Sequence, residues 1–154
     1  MGLDMYLRAN RYISEYDGED VGLATKVVKL LGAIPAGTVS GISLRVGYWR
    51  KANAIHKWFV DNVQGGEDEC RAHGVSKEQL EVLYNLCLKI LAKRGTKIVN
   101  DLIEDFLPPS SGFFFGSTDV DDYYFADLEN TVKQLKPLIE FTDTDWDYEY
   151  QSSW

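Results

Sequence analysis

Apolar and polar positions change period several times along the chain, and each change predicts an element. From Leu3 to Ile13 a partial alternation carrying Tyr6, Leu7, Tyr12 and Ile13 predicts a strand. Ser14 to Asp20 is polar and acidic and holds Asp17-Gly18, a turn signal. Val21 to Leu31 fits a short helix and a strand equally well, and Gly32, Pro35 and Gly37 break it. Thr38 to Val46 alternates Val39, Ile42, Leu44 and Val46 with small or polar residues. This predicts a second strand, antiparallel to the first, feeding straight into a helix at Gly47. That helix stops near Gln64-Gly65-Gly66, and Gly66 to Gly74 is a charged loop. Ser76-Lys77-Glu78-Gln79 is a capping box. Leu80, Leu83, Tyr84, Cys87, Ile90 and Leu91 then keep helical spacing as far as Gly95. Ile98 to Leu107 reads as a short helix burying Leu102, Ile103 and Phe106, stopped by Pro108-Pro109. Phe113-Phe114-Phe115, between Gly112 and Gly116, reads as a short buried strand or an extended turn. A third long helix buries Phe125, Leu128, Val132 and Leu135, with Asp121 and Asp122 at its positive end and Pro137 marking an end or a kink. The stretch from Asp143 to Trp154 is either a final strand with Trp146, Tyr148 and Tyr150 on one face or a frayed acidic tail. With no internal repeat and no linker, the expectation is one α+β domain spanning residues 1–154, a small antiparallel sheet packed against three main helices.

The stretch from Tyr48 to Val60 draws the eye, because cations, aromatics, a His and an Asn crowd together in it. Wound as a helix at about 100° per residue, it puts Tyr48, Ala52, Ile55, Phe59 and Val63 on one face, with Trp49, His56 and Val60 at the edge. Arg50, Asn53 and Lys57 then form a row on the adjoining face, while Lys51 and Trp58 point the other way. A guanidinium, an amide and an ammonium in one row suit an anion with flat polar edges. The plainer reading is a solvated basic face over a core stripe, with His56 a hydrogen-bonded structural residue.

Composition narrows the classes. Hydrophobic residues make up 45% of the chain, ample for a core, and the net charge of −8 argues against non-specific binding to nucleic acid or to an anionic membrane. Aromatic content is high at 13%, and large aromatics outside a core are favoured at binding surfaces. Cys70 and Cys87 are too few for a disulfide scaffold. Cys70 and His73 alone make a poor metal site, so no metal ligand is assigned. No signal-peptide pattern, myristoylation motif or run of transmembrane length stands in the sequence, which predicts a cytoplasmic protein with no membrane partner. Walker and dinucleotide-binding loops are absent, as is G-x-S-x-G, and no cofactor is expected.

Three blocks carry a resemblance: Met1-Gly-Leu-Asp-Met-Tyr-Leu7, Tyr48 through Val60, and Gly112-Phe-Phe-Phe-Gly-Ser117 followed by Asp122-Tyr-Tyr. Together they resemble a family of small proteins carried by phages and prophage-bearing bacteria, with Gly18 to Thr38 the part that matches least. What the resemblance implies is a context: small phage proteins of this size often counter host defence, by sequestering a nucleotide signal or by blocking a defence protein.

Two functions follow as expectations. In the first, the chain is a non-catalytic, anti-defence binder that sequesters a small phosphorylated, nucleotide-like ligand. Arg50 and Lys57 would hold phosphate and Asn53 would read a base or sugar edge. Trp49 or a phenylalanine from Phe113 to Phe115 would stack on the base. Amides at Gly116, Ser117 and Thr118 would form an anion nest, and His56 and Arg8 would complete the set. In the second, the acidic aromatic surface of Trp146, Tyr148, Tyr150 and Trp154 inhibits a host defence protein. A third reading makes His56 the general base of a small hydrolase, oriented by Asp4 or Asp61. An outward Trp58 would allow a homo-oligomer.

Overall fold

The computed structural model describes residues 2–32, 35–112 and 114–154. Alternation in β1, Asp4–Tyr12, sets the architecture. Met5, Leu7 and Ala9 are buried on one side while Asp4, Tyr6, Arg8 and Asn10 lie half-buried on the other, the signature of a sheet covered on one face. β1 is flanked by β2, Gly41–Arg50, and by β4, Asp147–Ser153, with β3, His73–Val75, outside β4. All pairings are antiparallel and the order is β2-β1-β4-β3. This is the expected small α+β fold. β4 is the strand reading of the C-terminal stretch, and β3 is a strand inside what the sequence presents as a charged loop.

Between β1 and β2 runs α1, Gly18–Leu31, so Val21 to Leu31 is helical. Asp17 caps it by accepting from the amides of Glu19 and Asp20. Asp20 ties it to the sheet, taking 2.8 Å from Arg11 and 2.9 Å from the Ser14 amide. These donors hold the Asp20 carboxyl below its ordinary range, the Ser14 amide foremost.

The largest departure from expectation lies at β2. The strand does not give way to helix at Gly47 but continues to Arg50, paired throughout with β1: Tyr6 faces Tyr48 and Asp4 faces Arg50. Leu7 opposes Gly47 and Arg8 opposes Arg45, which leaves Val46 as the extra residue of a bulge. A Cβ on Gly47 would sit 2.9 Å from the Trp49 ring and 3.0 Å from Leu7 Cβ, so only glycine lets that ring lie flat along its own strand. The chain then turns through Lys51, at φ 60°, into α2, Asn53–Asn62.

α2 and α5, Asp122–Glu140, close over the inner face of the sheet. The Phe59 ring stacks on Tyr150 at 3.9 Å, and Trp49 donates its indole N–H to Thr131 Oγ1 at 2.8 Å. α3, Lys77–Leu91, opens on the expected capping box and packs along α5. α4, Val99–Phe106, follows it, with Ile103 buried but Phe106 48% exposed; the Phe106 ring lies under Lys89 instead of in the core. Pro137 sits inside the last turns of α5 and does not end it. Gln134 of α5 reaches the edge of β2, accepting from the Tyr48 amide and donating to its carbonyl, as a neighbouring strand would. Among the described residues no helix is long and apolar enough to cross a membrane.

Candidate functional site

The strand-to-helix junction divides the predicted row. Arg50 leaves the end of β2, exposed; Asn53 is the first residue of α2 and buried; Lys57 sits a turn further on. Lys57 is paired at 2.8 Å with Asp61 and lines a separate groove with Trp58 and Phe106. The three therefore share no ledge, because a period of two governs Tyr48 to Arg50 and a helical period begins only at Asn53.

Asn53 is a structural clamp. Its Nδ2 donates to the carbonyls of Phe115 (3.2 Å) and Ser117 (2.7 Å), and its Oδ1 accepts from the Ser110 amide at 3.1 Å. These bonds use up its amide and fix the loop from Ser110 to Ser117 against the start of α2. Trp49, 1% exposed, belongs to the core and offers no stacking face. Phe115 is buried edge-on to His56 at 5.0 Å, and Phe114 lines a different hollow with Trp154. Phe113 lies outside the described residues. Trp58 is 6% exposed, packed edge-on against Phe59, so it does not project outward.

His56 lies deep, 1% exposed, with Nδ1 2.7 Å from the Tyr150 hydroxyl. Its Nε2 is 3.1 Å from Asp68 Oδ2, close enough for electrostatic attraction but off the line of a hydrogen bond. Asp68 also accepts from the Trp154 indole at 3.2 Å. The chain Asp68–His56–Tyr150 straps the loop after α2 to the sheet. Asp4 and Asp61, the expected orienters, are engaged with Tyr48 and Lys57 instead. Burial drives the Tyr150 hydroxyl well above its ordinary range. With Tyr150 wholly buried and Tyr148 nearly so, the acidic aromatic surface loses its two central members. Arg8 lies on the open face of the sheet, over the Tyr6 ring and bonded to Gln151 at 2.7 Å.

What the fold does assemble is a cavity of about 360 Å³ between the β2–α2 junction, the loop after Phe115 and the first turns of α5. Arg50, Lys51, Asn53, Ala54 and Ile55 form one wall, and Gly116, Ser117 and Asp119 a second. Asp121, Tyr123, Tyr124, Asp127 and Leu128 form the third. Thr118 is exposed and outside this lining. Gly116, at φ 89°, packs on the Lys51 stem: a Cβ there would meet Lys51 Cβ at 3.3 Å.

Two features make this cavity polar in a directed way. The first is the amino end of α2, which has no side-chain cap and no acidic residue in its first turn. The Asn53 amide bonds back to the Lys51 carbonyl, and the first helical bond runs from His56 to Ala52, so the Ala54 and Ile55 amides have no bond within the helix; both residues are buried. Just before them stand Arg50 and Lys51, neither ion-paired among the described residues. Two cations beside the positive end of a helix favour an anion there; within the chain, Asp119, Asp121 and Asp127 line the same cavity.

The second feature is Asp127. Asp121 is occupied as the cap of α5, accepting from the Tyr123 and Tyr124 amides. Asp119 is occupied by the Ser117 hydroxyl at 2.9 Å. Tyr124 donates its hydroxyl to the Leu107 carbonyl at 2.9 Å. Among the described residues no donor reaches the Asp127 carboxylate; burial first, and Asp121 second, push its pKa to about 6. Asp127 is thus the carboxylate that solvation and capping do not explain. Its spacing from Tyr124, Leu128 and Thr131 marks the buried face of α5, a helical signal present in the sequence. Lys51 gave no comparable signal, since nothing local announces a left-handed lysine.

Among the described residues no three His, Cys, Asp or Glu side chains converge on a metal-sized site. In comparison with known proteins, no family model, no curated protein and no solved structure matches this chain.

Proposed function

We propose that the chain is a non-catalytic binding protein for a small phosphorylated, nucleotide-like ligand, held in the cavity at the amino end of α2. The observation that carries this reading is the uncapped helix end flanked by Arg50 and Lys51 beside a partly open cavity of about 360 Å³. A phosphate there meets Arg50 and Lys51 beside a helix end whose dipole favours an anion, in a cavity that also carries Asp119, Asp121 and Asp127. The volume is in the range of small-molecule sites. Tyr123, 82% exposed at the rim, supplies a ring on which a base can stack. Relative to the residues that the sequence suggests, Arg50, Gly116 and Ser117 stay in the site, and Asn53 supports it from behind. Lys51, Ala54, Ile55, Tyr123 and Asp127 join it.

A hydrolase built on His56 is disfavoured by that residue's burial between Tyr150 and Asp68. Because a binder without catalysis acts by holding its ligand, the phage-type resemblance supports sequestration of a nucleotide-derived immune signal as its role. The test is thermal melting of the purified protein against a panel of linear and cyclic nucleotides and inorganic phosphate. A rise with at least one nucleotide, absent in Arg50→Ala, supports the reading; indifference of both proteins to the whole panel overturns it.

A further inference from the structure

We infer that the base read by this cavity is guanine, with its Watson–Crick edge on Asp127; the inference rests on the phosphate reading of the α2 end. The argument concerns the wall opposite the cations. Of its carboxylates, Asp121 and Asp119 already accept hydrogen bonds from the chain. Asp127 lines the cavity, and among the described residues no protein donor reaches its carboxylate. A half-buried carboxylate of this kind is matched by a donor that the ligand brings. An ionised carboxylate offers two adjacent acceptors and no donor. Guanine alone among the four common bases presents two adjacent N–H donors on that edge, N1–H and the 2-amino group. Adenine and cytosine set one donor beside a ring nitrogen that repels the second oxygen. Uracil sets one donor between two carbonyls. Tyr123 at the rim stacks on any base and so does not choose among them. The choice is left to Asp127, and the anion site at Arg50 and Lys51 is indifferent to it.

The experiment is calorimetric titration of the full chain at pH 7.5 with guanosine, inosine, adenosine and cytidine monophosphates, using wild type and Asp127→Asn. Wild type should bind the guanosine nucleotide at least about tenfold more tightly than the adenosine one, with inosine, which lacks the 2-amino group, between them. An asparagine offers one acceptor and one donor, the pattern that suits adenine. Asp127→Asn should therefore invert the order, weakening guanosine and strengthening adenosine monophosphate. Equal affinity for all four in both proteins overturns the guanine assignment and leaves the phosphate site standing. No binding of any of the four, with Arg50→Ala identical to wild type, overturns both.

Discussion

The amino end of α2 is buried and that of α3 exposed, and the two are finished in opposite ways. At α3, Ser76 accepts from the Gln79 amide at 3.2 Å and donates its own amide to Gln79 Oε1 at 2.9 Å. Gln79 then reaches across to the Asn62 carbonyl at the far end of α2. The helix end is sealed within the chain. At α2 the capping position is Ala52, which has no side chain able to accept, and cations precede it where acids are the usual choice. The difference separates an end capped by the chain's own side chains from one without such a cap. Each of the following substitutions closes, opens or recharges one of these ends.

The largest effect is expected where α2 is held to the loop that walls the cavity. Asn53→Ala removes the partners of the Phe115 and Ser117 carbonyls and of the Ser110 amide together. Leaving partly buried backbone groups unpaired should destabilise by about 2–4 kcal/mol in urea unfolding and abolish any nucleotide-dependent rise in melting temperature. Ser76→Ala at the sealed end should cost about 1 kcal/mol and leave ligand response intact. If instead both variants lost ligand response, the two ends would not be functionally distinct.

Asp127 gives a pH-dependent measure of the open site. Its carboxyl holds a proton to about pH 6 in the folded chain, against an ordinary value near 3.8. Between these values the native state binds more protons than the unfolded one, so this group's contribution makes stability fall as pH rises through that window. Asp127→Asn removes the burden of a partnerless carboxylate. It should be more stable than wild type at pH 7.5, by about 1–2 kcal/mol after allowance for solvent access, and the gap should vanish by pH 4. Chemical denaturation at the two pH values checks it. A variant no more stable at pH 7.5 than at pH 4, relative to wild type, would mean that Asp127 has a donor.

The fold was far more legible than the site, for a physical reason visible in particular residues. Ser76 and Gln79 advertise a helix start because the cap is made by neighbours in sequence, and the stripe from Phe125 to Leu135 advertises a buried face by its own spacing. Tyr48 to Arg50 misleads because its period is set by distant residues. Asp4, Met5 and Tyr6 pair with Arg50, Trp49 and Tyr48, and the bulge at Val46 shifts the alternation just before the change of element. A wheel drawn through a strand gives a row that does not exist. The break comes at Lys51, without the Gly or Pro that normally marks one. The β-strand at His73–Val75 is hidden for a related reason: it is short, and its pairing with Tyr148 to Tyr150 is the only thing that makes it a strand. The clamp made by Asn53, too, joins residues that only the folded chain brings together.

Lys51 offers the finest separation of structure from recognition. It holds φ 60°, a conformation that costs an L-residue about 1 kcal/mol and glycine almost nothing. Its stem packs between Gly2 and Gly116, and its charge belongs to the proposed anion site. Lys51→Gly relieves the backbone but loses the stem contact and frees the unfolded chain, so its net stabilisation should be small, about 0.5 kcal/mol. Lys51→Ala keeps the backbone strain and should be no more stable than wild type. Both remove the same charge, so both should weaken nucleotide binding by a similar factor, about three- to tenfold at low salt, with the deficit shrinking as salt is added. Parallel melting and titration of the pair decide the matter: affinity that followed stability, and not charge, would make the left-handed lysine a device of the fold and leave the open end of α2 with Arg50 as its sole cation.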